Sequence, residues 1–180
     1  MKTKKKHILD AAATLFAAHG FDKTAVATIC EKANVSKGLV YHHFKSKDEI
    51  LIEIFEQSTN EMNSLGQDEN TETSEITIID LIENIFFGLE NNQQFFQMNL
   101  NIMFQPSTKK ILEKQIKERA TQLFNSVKTL FDKNSKENSE ILSYVFVSEI
   151  DGIALSYLSL FENYPLQEMK EQLQQKYKND

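Results

Sequence analysis

Residues 36 to 47 combine cationic, hydroxyl and aromatic side chains at short intervals, a combination suited to contacting phosphates and base edges of a nucleic acid. A lysine can donate hydrogen bonds to guanine O6 and N7, and hydroxyl groups can donate to phosphate oxygens. Gly38 has no side chain, so a partner can approach its backbone closely. The candidate contact residues are Thr24, Ser36, Lys37, Gly38, Leu39, Tyr41, His42 and Lys47.

These candidates differ in the role that their positions suggest. Lys37 opens a short predicted helix, where side chains reach base edges, and Leu39 on that helix can touch a thymine methyl group. Lys47 stands at the start of the next predicted helix, where backbone N–H groups and the helix dipole favour an anion. Thr24 can cap a helix, donate to a phosphate, or do both. The tyrosine and the histidine of the set have an alternative interpretation as solvated surface residues, as do the N-terminal lysines.

Other kinds of chemistry find little support in the residues. The four histidines and the single cysteine, Cys30, do not show the spacing of a metal site. There is no glycine-rich phosphate loop and no nucleophile motif. We therefore expect no enzyme, no metal and no cofactor. One cysteine cannot form an internal disulfide, which fits a reducing compartment.

Apolar residues recur at steps of three and four along the chain, and only two prolines and five glycines interrupt them. This pattern predicts an all-α protein of about nine helices, with polar loops at 65–75 and 132–139. The predicted helices cover 4–19, 25–33, 37–43, 47–64, 76–90, 94–104, 107–131, 140–162 and 165 to near the end.

Individual residues mark several helix ends. Gly20 ends the first helix, and Thr24 is the expected N-cap of the second. Asn34 tolerates the left-handed conformation that a tight turn requires. Ser36 is the expected N-cap of the third helix, and Ser46 begins a capping box with a glutamate three residues later. The second and third helices, joined by this turn and backed by the first, form a helix-turn-helix arrangement.

Charge is distributed unevenly along the 180 residues. The net charge is −6, but residues 1–50 contain nine lysines and five acidic residues, which leaves −10 for the remainder. A basic first segment on an acidic body is typical of a nucleic-acid-binding module attached to a second domain, although a chance excess of lysines is an alternative. No apolar run approaches about 18 residues, and no export signal follows the basic N-terminus. We therefore expect a cytoplasmic protein.

Residues 4–55 resemble the TetR family of transcriptional regulators. The resemblance rests on many positions in order: Ala11-Ala12 to Phe16, His19-Gly20-Phe21, Thr24, Ile29-Cys30, Ala33 to Gly38, Val40 to Phe44 and Lys45 to Ile50. Two positions depart from the family pattern. Asn34 replaces the usual glycine, and Leu39 replaces a small polar residue.

The resemblance implies a DNA-binding helix-turn-helix domain over 1–46 and a helical ligand-binding and dimerisation domain over 47–180. It further implies a homodimer through the last two helices, with apolar area from residues including Ile141, Ile153, Leu160, Leu166 and Leu173. Such a dimer would place two recognition helices about one DNA turn apart, on a palindromic operator.

Aromatic residues in the second domain suggest an effector site. Phenylalanines are adjacent at 86–87 and 95–96, and neighbours on a helix point about 100° apart, so one face cannot bury both. A cavity lined by phenylalanine and methionine would take an apolar or aromatic small molecule. The candidate lining residues are Phe87, Phe96, Met103, Phe104 and Tyr144.

The resulting expectation is a DNA-binding regulator, a repressor that a small apolar or aromatic ligand releases from DNA. Two alternatives remain at this point. One is an architectural or division-control protein of the same fold that binds DNA without a ligand. The other is a helical small-molecule carrier, which would show no salt-dependent affinity for DNA.

Overall fold

The computed structural model of the chain describes residues 3–64, 76–133 and 137–178, without the side chains of 61–64, 94 and 95. The predicted loop at 65–75 lies outside these residues. Ten α-helices and one π-helical segment, with no strand, make up the regular structure of the described ranges. They are α1 (Lys4–His19), α2 (Val26–Ala33), α3 (Lys37–His43), α4 (Lys47–Ser64), α5 (Ile78–Asn91), α6 (Gln93–Phe104), α7 (Pro106–Ile111), α8 (Glu113–Lys133), α9 (Ser139–Leu155), the π-helical segment (Ser156–Leu160) and α10 (Leu166–Tyr177).

The all-α prediction is confirmed, and most helix ends fall within two residues of their expected positions. The main error is the single helix predicted over 107–131, which the structure divides into α7 and α8. Leu112 interrupts it with φ −101° and ψ 11°. Its side chain is completely buried, so the interruption lies where tertiary packing outweighs the helical pattern of the sequence.

The chain packs as two compact units. The first, which we call the head unit, comprises Met1–Thr59 and Gln97–Ile116, and the second, the body unit, comprises Asn60–Phe96 and Lys117–Asp180. The head unit therefore extends beyond the expected boundary at residue 46 and includes a distant segment of sequence. It contains twelve lysines and eight acidic residues, a net +4, so the body unit still has a net −10.

Apolar residues of the head unit form one buried core. Ile8, Ala12 and Phe16 of α1 pack in this core with Ile29 of α2, and Val40 of α3 joins them. The second segment of the head unit, Gln97–Ile116, contributes Met98, Ile102 and Leu112 to the same core. This core fixes the angles between the first three helices.

The body unit has its own core, centred on an aromatic cluster. The rings of Phe131, Phe146 and Tyr177 lie 5.2 to 6.3 Å apart between centroids. The Tyr177 hydroxyl donates to Glu149 Oε2 at 2.8 Å, so the polar end of this buried ring is paired. α10 also joins α5 through Gln174, whose side chain donates to Glu83 Oε1 at 2.5 Å.

The segment Ser139–Leu160 corrects the expectation that no apolar run is long enough to cross a membrane. Among the described residues, this helix passes that test by length and composition alone, and 28% of its most apolar window is buried. Phe146, Ile150 and Ile153 on its inner side belong to the core of the body unit.

Candidate nucleic-acid interface

The turn between α2 and α3 is built on one left-handed residue. Asn34 has φ 51° and ψ 54° and donates its backbone N–H to the carbonyl of Glu31 at 3.1 Å. The next N–H, of Val35, donates to the Cys30 carbonyl at 3.0 Å. These bonds satisfy the last carbonyls of α2 and turn the chain into α3. The expected left-handed role of Asn34 is therefore confirmed.

Ser36 caps α3, as the sequence predicted. Its side-chain oxygen accepts the backbone N–H of Leu39 at 3.2 Å. Because α3 has only seven residues, this bond serves a large share of its free N–H groups.

The two sides of α3 have opposite environments. Val40 and Phe44 are 1% and 3% exposed and belong to the core of the head unit. The opposite side presents four of the candidate contact residues to solvent, and Leu39 lies beside them. The exposed four are Lys37, Gly38, Tyr41 and His42.

Lys37 and Tyr41 interact along this outer side. The Lys37 ammonium lies 5.8 Å from the centroid of the Tyr41 ring, one helical turn away. The Tyr41 side chain is 47% exposed, so its hydroxyl is available to an external acceptor. A cation within about 6 Å of the centroid of an aromatic ring is attracted to its face. His42 contacts His43 edge to face, with ring centroids 5.2 Å apart.

Thr24 does not fill the role that the sequence suggested. Helix α2 starts one residue later than expected, with Ala25 as its N-cap. Thr24 is 3% exposed, and its hydroxyl donates to the Gly20 carbonyl at 2.8 Å. A buried hydroxyl with an internal acceptor is not available to a phosphate, so the structure makes Thr24 a residue of the α1–α2 turn.

Lys47 also has an internal environment. Its ammonium donates to the carbonyls of Phe21 at 2.8 Å and Thr24 at 3.1 Å, and it lies 4.2 Å from the centroid of the Phe21 ring. The sequence placed Lys47 correctly at the start of α4, but no spacing in the sequence indicated its partners. The capping box at this point also differs slightly, since Glu49 accepts the N–H of Lys45 at 2.6 Å.

The N-terminus of α2 is a feature that the sequence-based predictions missed. Ala25 provides no side-chain acceptor, so the N-cap residue of α2 makes no side-chain hydrogen bond to its first N–H groups. Ala27 and Thr28 in the first turn are exposed. Free N–H groups and the positive end of the helix dipole favour an anion. The signal was present in the sequence, since alanine after Thr24 cannot cap.

The five candidate effector residues are not brought together in one unit. Phe87, Phe96 and Tyr144 belong to the body unit, whereas Met103 and Phe104 belong to the head unit. All except Phe96 are at least 40% exposed, so among the described residues those four side chains do not line an enclosed cavity within their own units. Phe86, the neighbour of Phe87, is 1% exposed. The expectation that one helix face buries only one member of this adjacent pair is therefore confirmed.

Two clefts within single units are open to solvent. One, of about 330 Å³, lies in the head unit among largely polar residues that include His19, Lys23 and Gln105. The other, of about 370 Å³, is shallow and lies in the body unit beside Tyr144 and Val145 of α9.

One face of α9 exposes apolar side chains of the body unit. Ile141 is 61% exposed and Tyr144 is 56% exposed, and a side chain added at Gly152 would meet no atom within 4 Å. The Tyr144 ring lies on Phe124 of α8, with centroids 4.5 Å apart. This face, which we call the α9 face, comprises Ile141, Tyr144, Val145, Ser148 and Gly152.

α10 contributes less to the exposed apolar area than expected. Leu166 and Leu173 are buried in the core of the body unit, and so is Ile153 of α9. These three residues therefore cannot supply apolar area to a second subunit. The exposed residues of α10 are polar or charged: Gln167, Glu168, Glu171, Gln172, Gln175 and Lys176.

Comparison with known proteins agrees with the helix-turn-helix geometry of α2 and α3. Residues 8–54 match the family model of bacterial regulatory proteins of the tetR family. The chain is 38% identical over 61 residues to the HTH-type transcriptional regulator AcrR of Shigella flexneri, covering 34% of this chain and 28% of that protein. It is 27% identical over 169 residues to the uncharacterized HTH-type transcriptional regulator YuxN of Bacillus subtilis (strain 168), covering 88% of this chain and 55% of that protein. The matched regions thus span about a quarter to a half of these two relatives.

Solved structures extend the likeness over the whole chain. A transcriptional regulator from Aquifex aeolicus VF5 matches with a TM-score of 0.71 and 27% identity, over 98% of each chain. A transcriptional regulator from Rhodococcus sp. Rha1 matches with a TM-score of 0.81 over 98% of this chain and 95% of that one, and its 17% identity shows the fold alone. With the helix-turn-helix of α2 and α3, residues 8–54 are a segment of the tetR family of bacterial regulatory proteins, and the chain as a whole is similar in fold to the regulator from Aquifex aeolicus VF5.

Proposed function

We propose that this protein is a cytoplasmic DNA-binding transcriptional regulator that represses its target genes. The observation that carries the proposal is the outer side of α3, where Lys37, Gly38, Tyr41 and His42 are exposed while Val40 and Phe44 anchor the helix. A single α-helix with its side chains fits the major groove of B-form DNA, which is about 12 Å wide. Residues 1–46 would supply the DNA contacts, and 47–180 would supply dimerisation and control.

Electrostatics support the same assignment. The head unit has a net charge of +4, whereas the body unit has a net charge of −10. A duplex therefore attracts one unit and is repelled by the other, which orients the protein on DNA. The uncapped N-terminus of α2 adds N–H donors for a phosphate.

Binding selection on random duplex DNA, followed by affinity measurements from about 50 to 200 mM salt, tests the proposal. Tyr41→Ala should weaken binding to all sequences, because a phosphate contact holds the protein without reading bases. Lys37→Ala should also change the preferred sequence. Lys178→Ala removes an exposed lysine of the body unit and should leave both the affinity for DNA and the preferred sequence unchanged. Absence of binding by the unaltered protein at the lowest salt concentration would contradict the proposal.

We propose a homodimer in which the α9 face forms the main apolar contact. Its apolar side chains, Ile141, Tyr144 and Val145, are 39 to 61% exposed, and Gly152 permits close approach of a second helix. A two-fold dimer would place two copies of α3 about 34 Å apart on a palindromic operator. α10 would take part through its polar side chains, since its leucines are buried.

We further propose that a small apolar or aromatic ligand releases the protein from DNA. The ligand would act by binding one arrangement of the dimer more tightly than the other. A ligand-free DNA-binding protein of the same fold is the second candidate. It is favoured by the exposure of Phe87, Met103, Phe104 and Tyr144. Binding selections run with and without an extract of cell metabolites separate the two, because only a ligand-controlled protein would release its operator when metabolites are added.

A further inference from the structure

The ammonium of Lys47 is held by three groups of a single turn. Two backbone carbonyls accept its protons, that of Phe21 at 2.8 Å and that of Thr24 at 3.1 Å. The ring of Phe21 covers it, with 4.2 Å between Nζ and the ring centroid. Two of its three donors are therefore bonded to the protein, and an aromatic face takes part of its charge.

The turn that Lys47 holds decides where α2 begins. It connects Gly20, where α1 ends, to Ala25, where α2 starts. Phe21 on this turn is buried against Phe16 of α1, with ring centroids 5.2 Å apart. Thr24 is buried as well and donates its hydroxyl back to Gly20. Lys47 adds a connection from this turn to α4, more than twenty residues later in the sequence.

We infer that Lys47 is a positioning residue, whose side chain fixes the α1–α2 turn on α4 and so aligns the helix-turn-helix for base recognition, and that this side chain does not contact a phosphate. The inference rests on the proposed DNA-binding function. It concerns the side chain only, and the backbone N–H groups at the start of α4 can still face an anion. Charge-assisted hydrogen bonds to two carbonyls are among the stronger single interactions that a lysine makes.

Two quantities distinguish a positioning lysine from a phosphate-binding one. The first is the slope of log affinity against log salt, whose magnitude decreases by about 0.9 when one phosphate contact is removed. The second is the ratio of affinity for the selected operator to affinity for unrelated DNA. A lysine that only stabilises the fold would change neither quantity in protein that is fully folded.

The test compares the unaltered full chain with Lys47→Met, Lys47→Gln and Lys37→Met, at a temperature where each is folded by circular dichroism. Methionine keeps the aliphatic stem without the charge. Glutamine is also uncharged, but its amide still has two N–H donors for the carbonyls. Lys37→Met removes an exposed lysine of α3 and reports the effect of removing a charge that faces solvent.

We expect Lys47→Met to lower the operator-to-unrelated ratio about tenfold, the discrimination lost when one base contact is misplaced, while the salt slope stays unchanged. Lys47→Gln should retain more of that ratio than Lys47→Met, and Lys37→Met, which removes a base-contacting side chain, should change the preferred sequence. A slope that decreases by about 0.9 in both Lys47 variants would overturn the inference, and so would an operator ratio that neither variant changes.

If the proposed DNA-binding function is wrong, the measurements would differ from those expected if only the role of Lys47 is wrong. In that case the unaltered protein would bind no duplex at about 50 mM salt, and every variant would do the same. If Lys47→Met does not fold, the glutamine variant alone decides the outcome, because it is equally uncharged. A reduced salt slope then contradicts the inference, and an unchanged slope with a lower operator ratio supports it.

Discussion

Thr24 and Lys47 show what a residue's type can and cannot indicate. Both carry good donors at positions where a DNA-binding role was reasonable, and both donate instead to carbonyls of the α1–α2 turn. Sequence specifies the donor of a hydrogen bond but not its acceptor when that acceptor is a distant backbone group. Lys5 is a similar case, since its ammonium pairs with Glu53 of α4 and lies 5.5 Å from the Phe44 ring centroid.

Replacement of Thr24 by valine tests its structural role. The change removes the hydroxyl that donates to the Gly20 carbonyl, so we expect the free energy of unfolding in urea to fall by about 1–2 kcal/mol. Thr14→Val is the matched control, because the Thr14 hydroxyl bonds to the Asp10 carbonyl on the exposed side of α1. Unchanged stability of Thr24→Val together with weaker binding to all DNA sequences would restore the phosphate role.

Tyr177 should make the protein unstable in alkali. Burial raises the pKa of its phenol, and the hydrogen bond to the Glu149 carboxylate raises that pKa further. The folded state therefore keeps a proton that the unfolded state releases above about pH 10. Stability is unaffected below that pH and declines as the pH rises beyond it. Urea unfolding at about pH 8 and about pH 11 measures the decline, which should be smaller for Tyr177→Phe. Equal declines in the two proteins would contradict this expectation.

At the scale of an element, α3 depends strongly on its cap. It has seven residues, too few to be stable alone, and Ser36 provides its side-chain cap. We expect Ser36→Ala to lower the free energy of unfolding by about 1 kcal/mol. Ser36→Asn should lower it much less, because asparagine caps about as well as serine. Chemical denaturation of the three proteins measures both values, and equal decreases in the two variants would argue against capping.

The sequence was sufficient for most elements because their ends carry local signals. Ser36, Asn34 and Gly20 act within a few residues of themselves, so the bounds of α1 and α3 could be predicted. The break at Leu112 could not, since it depends on burial against residues far away in sequence. The Thr77–Asp80 capping box at the start of α5 is a local signal as well, and the predicted start of that helix at residue 76 did not use it.

As with the helices, the local features of the candidate site could be predicted from the sequence, but the features that depend on distant residues could not. Exposure of Lys37, Gly38, Tyr41 and His42 follows from helical spacing once Val40 and Phe44 are assigned to the core. The grouping of the effector residues was not predictable, because it depends on how the chain divides into units. Met103 and Phe104 belong to the head unit although a long stretch of chain separates them from its first helices.

For the whole molecule, the α9 face makes assembly testable. We expect Ile141→Glu to shift the proposed dimer to a monomer at micromolar concentration, because a buried unpaired carboxylate is unfavourable in an apolar interface. Sedimentation velocity measures the change. Lys109→Glu introduces the same residue at an exposed position of the head unit and should leave the dimer intact. A dimer that survives Ile141→Glu but not Glu168→Lys would move the interface to α10.

The π-helical segment after α9 has a consequence for the evolution of this chain. Its wider turn is closed by the bond from the Phe161 N–H to the Ser156 carbonyl at 3.1 Å, a span of five residues where an ordinary turn spans four. The turn thus contains one residue more than a turn of regular α-helix. The later residues therefore face about 100° away from the direction that an uninterrupted α-helix would give them. A relative that lacks a single residue between 156 and 160 could close this turn as an ordinary α-helix and keep the residues that follow it facing the same direction.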